Sequence, residues 1–246
     1  EHLQVMIDET PAGGTLIVPE AVYVGTVTID QPVTLEGEGH PVIDGNLEGS
    51  VVTITAPDVT LRGLTLRGSA IGPFDSPSGV MLERADRALI EDVVIEQSYI
   101  GITVRLSEDV VIDRVAIRGQ GVITGEEHVV ETDEETDHEA HDGGEAAQMR
   151  TEAQVRGDGI WLWNATRAVV RDTTVEETRD GIYVSYGSGA LLEGNRVVGS
   201  RYAVHDMYAE DLTVRSNTLE GNLSGLVLMY GGPVTVADNV IMQPQR

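Results

Sequence analysis

One spacing governs this chain. Laid out in steps of 22, Asp158-Gly159-Ile160 falls on Asp180-Gly181-Ile182, Tyr202-Ala203-Val204 and Ser224-Gly225-Leu226. Ile160, Ile182, Val204 and Leu226 then form one apolar column. Val170, Leu192, Val214 and Val236 form a second, and Val175, Val197, Leu219 and Ile241 a third. Upstream, the same step relates Gly79 to Gly101, Val80 to Ile102, Ile90 to Ile112 and Ile95 to Ile117. Each unit alternates β-branched and polar residues in short runs cut by Gly, Asn and Asp, which is the chemistry of strands and turns. A unit this short cannot bury its apolar face alone, so successive units must stack. Leucine-rich repeats overlap this length, but their L-x-x-L-x-L pattern and its internal asparagine are missing. The expected fold is therefore all-β: a right-handed parallel β-helix wound by one chain, each coil roughly 4.8 Å above the last.

The repeat also sorts the irregular parts. Thr173 precedes an asparagine column at Asn195, Asn217 and Asn239, where stacked amides can hydrogen-bond at one turn and asparagine tolerates a left-handed backbone. Leu3, Met6 and Ile7 have helical spacing before Thr10-Pro11, predicting an N-terminal cap over residues 1–10 that covers the open end of the solenoid. A loop is expected from Gly72-Pro73 to Pro77-Ser78. The segment from Gly119 to Gly157 breaks the period, and its stretch 126–145 holds ten acids and His128, His138 and His141 without one arginine. It reads as a solvated, mobile insertion between two coils of a single domain spanning 1–246. Val240-Ile241 still reads as strand and no capping element follows Gln243-Pro244, so further coils are expected beyond Arg246.

Composition limits the function classes. The 246 residues carry 41 acidic and 16 basic side chains, a formal charge of −25, and every basic one is arginine. Such a surface repels nucleic-acid phosphates. The absence of cysteine excludes disulfides, zinc-thiolate sites, iron–sulfur clusters and thiol catalysis. High acidity without lysine suits a protein kept soluble in concentrated salt, where screening reaches about 3 Å at 1 M. No apolar run approaches the roughly 18 residues of a membrane span. The chain begins at Glu1 and shows no signal peptide, which fits a processed or trimmed product and leaves export open.

With the first apolar column inward, its neighbours point outward: Trp161, Tyr183, His205 and Val227, then Trp163, Ser185, Met207 and Met229. An exposed apolar strip of this kind predicts a contact surface. His205, Met207 and Met229 combine imidazole and thioether donors that suit soft Cu(I), with ordinary packing or partner contact as the competing reading. Tyr186, Tyr208 and Tyr230 are expected to stack as a ring ladder beside the strip. Asp206 falls in a column otherwise filled by Leu162, Val184 and Leu228, which predicts either a local slip in register or a partner such as His205 or Arg201. Asp158 and Asp180 stack in adjacent coils, each in an Asp-Gly pair. Turn formation is the first reading; a glycoside-cleaving or Ca²⁺-holding carboxylate pair is the alternative.

The succession Gly157-Asp158-Gly159-Ile160-Trp161-Leu162-Trp163-Asn164, Arg179-Asp180-Gly181-Ile182-Tyr183, Arg201-Tyr202-Ala203-Val204-His205-Asp206-Met207-Tyr208 and Leu228-Met229-Tyr230 resembles the NosD family. Pro32-Val33-Thr34-Leu35-Glu36-Gly37 and Pro41-Val42-Ile43-Asp44-Gly45 are similar too, though many β-helices share such openings. The resemblance implies a non-enzymatic protein outside the cytoplasmic membrane, working with an ABC-type ATPase and permease. It implies copper handling, or sulfur supply, for the copper centres of nitrous-oxide reductase, with a copper metallochaperone as a further partner. Its site would comprise His205, Met207 and Met229 for Cu(I), which folding would not require. Trp161, Trp163, Tyr183, Tyr208 and Tyr230 would face partners. Three departures stand out: Asp206 replaces the family's usual aromatic in H-Y-M-Y, the acidic insertion is long, and family members continue for several more coils.

Overall fold

The computed structural model describes residues 3–72, 76–119 and 156–242. The expected fold is present: an all-β parallel solenoid of about 9 coils, about 22 residues per turn, with a single short helix among the described residues. Every strand pairs with its counterparts in neighbouring coils, giving three parallel sheets of nine, nine and eight strands. Residues 120–155 and 73–75, which carry most of the predicted insertion and the middle of the predicted loop, lie outside the described residues. Across the insertion the ladder continues unbroken, Ile102 pairing with Ile160 and Ile117 with Val175.

The core follows from the three columns. Ile160, Ile182, Val170, Leu192, Val214, Val175 and Val197 are all completely buried, and Val204 and Leu219 nearly so. The columns end open, because Val236 and Ile241 are each 46% exposed where their counterparts one coil below are buried. Close stacking also fixes a glycine column: a Cβ on Gly181 would meet the Ala203 carbonyl oxygen at 2.5 Å and Val197 at 2.3 Å.

The corner after the first sheet is held by the asparagines. Asn217 Nδ2 donates to the Leu192 carbonyl (2.9 Å) and to Asn239 Oδ1 (2.9 Å), while Asn217 Oδ1 accepts from the Asn195 backbone N–H (2.8 Å). The left-handed residue is not the asparagine, as the sequence suggested, but the one before it: Asp172, Gly194, Ser216 and Asp238. At the N-terminus, the helix Leu3–Glu9 buries Leu3 and Ile7 over the first coil. Gln4 completes the cap by imitating a strand. Its Nε2 donates to the Thr28 carbonyl at 2.9 Å and its Oε1 accepts the Thr28 N–H at 2.8 Å, satisfying the edge of strand Val27–Ile29.

Candidate functional site

The third sheet carries the predicted strip on strands Ile160–Trp163, Asp180–Ser185, Tyr202–Met207 and Ser224–Met229. Its pairing registers place Trp161 beside Tyr183 beside His205 beside Val227, and Trp163 beside Ser185 beside Met207 beside Met229. The side chains are less open than a free contact face would be. Trp161, Trp163, Tyr183, Met207 and Met229 are half-buried, Ser185 is buried, and His205 is only 7% exposed. They shield one another by stacking. Trp161 and Tyr183 lie nearly parallel with centroids 6.2 Å apart, and Tyr183 stacks on His205 at 4.5 Å. The tyrosine ladder also forms, with Tyr186 on Tyr208 at 5.1 Å and Tyr208 on Tyr230 at 5.3 Å. All three hold a left-handed backbone, a cost for a bulky residue that ring stacking helps to offset.

Polar contacts tie the strip together. The Trp161 indole donates to Ser185 Oγ at 3.0 Å, and the Tyr183 hydroxyl reaches Met207 Sδ at 3.7 Å. Tyr183 thus links the two predicted donors on this strand, stacking on His205 and hydrogen-bonding Met207. Met229 pairs with Met207 one coil on. Beside Trp161, a pocket of about 170 Å³ is lined by Tyr99, Asp158, Arg179 and Tyr183 among others.

The two stacked aspartates do more than satisfy backbone amides, as Asp158 Oδ1 does for the Asp180 N–H at 3.3 Å. Asp180 begins strand Asp180–Ser185, and both carboxylates are buried and gripped by arginines from the next coil. Arg179 holds Asp158 through Nε to Oδ1 at 2.9 Å and Nη2 to Oδ2 at 2.7 Å. Arg201 holds Asp180 with the same atoms at the same distances. The sequence columns Asp158/Asp180 and Arg179/Arg201, at a constant offset of one residue from the repeat, were the available signal for these clamps. Each carboxylate thus has both oxygens engaged by one arginine. His205 Nδ1 lies 2.9 Å from Asp180 Oδ2, and its Nε2 is buried without a hydrogen-bond partner. Burial alone would raise the Asp180 carboxyl, but the hydrogen bonds from His205 and Arg201 bring it below its ordinary value. For Asp158 burial prevails over Arg179 and pushes the carboxyl up.

Asp206 corrects the expected slip. It pairs with Val184 on one side and Leu228 on the other, so the register is regular and the acid does point inward. Its partner is neither His205 nor Arg201 but the Ala209 backbone N–H, which donates to Oδ1 at 3.0 Å. Oδ2 has no partner and lies where a Cβ on Gly231 would stand 2.5 Å away. Burial therefore pushes this carboxyl up.

Imidazole and two thioethers are chemically a soft-metal donor set, and the orphaned Nε2 fits a ligand role. Among the described residues, no group of three or more His, Asp or Glu side chains is placed to hold a metal ion.

These features define a parallel β-helix with a face of aromatic, imidazole and thioether side chains. Solved structures of the same architecture include alginate lyase from Paenibacillus sp. str. FPU-7, with TM-score 0.66 and 15% identity over 98% of this chain and 94% of that one. A hyperthermoactive exopolygalacturonase from Thermotoga maritima matches with TM-score 0.66 and 15% identity over 93% of this chain and 68% of that one. At such identities the likeness concerns the fold alone. Residues 138–246 match the family model described as periplasmic copper-binding protein (NosD). A relative named probable ABC transporter binding protein NosD, from Stutzerimonas stutzeri, is 36% identical over 94 residues, 37% of this chain and 21% of that protein. The match thus spans about a fifth of that relative's length. Among the described residues, no helix is long and apolar enough to cross a membrane.

Proposed function

We propose that this chain is a non-catalytic, extracytoplasmic β-helical scaffold that takes up Cu(I) as cargo at His205, Met207 and Met229. The carrying observation is His205, whose Nδ1 is committed to a buried carboxylate while Nε2 is buried without a partner, on the strand that also carries Met207. Metal-binding histidines characteristically donate their second ring nitrogen to a carboxylate in this way. Met207 and Met229, adjacent on paired strands, supply the soft donors that a cysteine-free chain must use. The family description as periplasmic and copper-binding supports the same reading.

Trp161, Trp163, Tyr183, Tyr208 and Tyr230 serve as the docking face, the partners being an ABC-type ATPase and permease, a copper metallochaperone and nitrous-oxide reductase. The name of the Stutzerimonas stutzeri relative supports the first of these. A Cu(I) competition titration tests the site. Met207→Ala/Met229→Ala is expected to weaken binding at least tenfold, and equal affinity with the unaltered protein overturns the assignment. Cleavage of an acidic polysaccharide by the unaltered chain, lost in Asp180→Asn, would overturn the non-catalytic reading.

A further inference from the structure

We infer that Asp180 is a positioning residue: clamped by Arg201, it selects the His205 tautomer that leaves Nε2 as the free donor. The use of that donor for copper rests on the function proposed above; the tautomer itself does not. A carboxylate only accepts hydrogen bonds, so His205 Nδ1, 2.9 Å from Asp180 Oδ2, must carry the hydrogen. In the neutral ring the lone pair is then on Nε2.

Two neighbouring rings hold the imidazole against the carboxylate. Tyr183 stacks on one face at 4.5 Å, and Tyr202 meets it edge-on at 5.2 Å. Arg201 closes the arrangement by lying 4.3 Å over the Tyr202 ring while gripping both oxygens of Asp180. A bare buried nitrogen costs free energy and calls for an explanation. Service as a donor to an incoming soft cation provides one.

The coil below supplies an internal control. Asp158 and Arg179 repeat the clamp at the same distances, but the position equivalent to His205 is Tyr183, whose hydroxyl turns to Met207. The Asp–Arg pair is therefore complete without an imidazole, and the bond to His205 is an addition made at one coil only.

The test uses the whole chain labelled with ¹⁵N-histidine, free of metal, at pH 8, with the His205 resonances assigned by their loss in His205→Gln. Long-range proton–nitrogen spectra should show the Nδ1–H tautomer. In Asp180→Asn, Arg201 keeps the amide oxygen and the amide NH₂ is left facing Nδ1, so the Nε2–H tautomer should take over. Cu(I) affinity should then fall about 10- to 100-fold. Asp158→Asn, which damages the equivalent clamp, should leave the tautomer and the affinity unchanged. An Nε2–H ring in the unaltered protein, or no tautomer change in Asp180→Asn, overturns the inference. So does an affinity loss in Met207→Ala/Met229→Ala with none in Asp180→Asn. Equal affinity for the unaltered protein and the methionine pair variant sinks the copper reading, while the spectra still decide the tautomer.

Discussion

The first and third sheets are built from the same repeat yet present opposite chemistry outward. On the first sheet and its turns, arginines bridge coils: Arg114 pairs with Glu91, Asp92 and Asp113, Arg171 with Asp113, and Arg215 with Glu193. On the third, the outward column Trp161, Tyr183, His205 carries aromatic and imidazole rings, and the column beside it meets charge only where Trp163 passes to Arg105 and Glu83 in the preceding coils. Both sheets bury equivalent apolar columns inward. A solenoid thus separates stability from surface chemistry, since alternate residues of each strand serve different faces.

The largest effect is expected where both faces share a support. Asn217→Ala leaves the Asn195 N–H and the Leu192 carbonyl without their side-chain partners, at about 1–3 kcal/mol for each buried unsatisfied group. Urea unfolding should show a midpoint shift common to probes on both sheets. A loss confined to one face would break the idea of a common core.

Asp206→Asn comes next. It keeps an acceptor for Ala209 while removing a carboxyl that burial holds above its ordinary value. For a raised acid, the native state binds more protons than the unfolded one between the two values. Stability is then fully present below the unfolded carboxyl's value, about 3.9, and is lost as pH rises through the raised folded value. Unfolding midpoints measured from pH 4 to pH 8 should fall more steeply in the unaltered chain than in Asp206→Asn. Parallel profiles would mean that the inward carboxyl is not strained.

Salt should act through net charge rather than through individual bridges. With a formal charge of −25, the melting temperature should rise by several degrees between 0.1 M and 2 M KCl as self-repulsion is screened. A flat or falling curve would end the reading of the surface as salt-adapted. Arg215→Gln is the smallest change expected. Its bridge to Glu193 at 2.8 Å is solvent-exposed, and its loss should cost about 0.5 kcal/mol or less in dilute buffer and nothing measurable in 1 M salt. A larger, salt-independent cost would make the charged face part of the scaffold's stability after all.

The contrast between the sheets was partly legible in the residue order. The 22-residue step identified the inward columns and put Met207 beside Met229, because parallel in-register stacking converts sequence period directly into neighbourhood. It also aligned the three asparagines, though not the residue that takes the left-handed turn. The Asp158–Arg179 and Asp180–Arg201 clamps were missed because their partners sit 21 residues apart, one position off the repeat, and side chains must lean along the strand to meet. The slip expected at Asp206 is absent, and no local pattern shows that its partner is the Ala209 amide at the following turn.

What the sequence determined by itself is the fold, since a short alternating unit repeated this often has one way to bury its apolar face. Only the tertiary structure decided what the outward residues do. Period places His205 on the strip. Its burial, its tautomer and its orphaned Nε2 come from Asp180 one coil below, Tyr183 beneath the ring and Arg201 behind the carboxylate. Periodicity sets which strands are adjacent; rotamer direction and shared hydrogen bonds set which atoms meet.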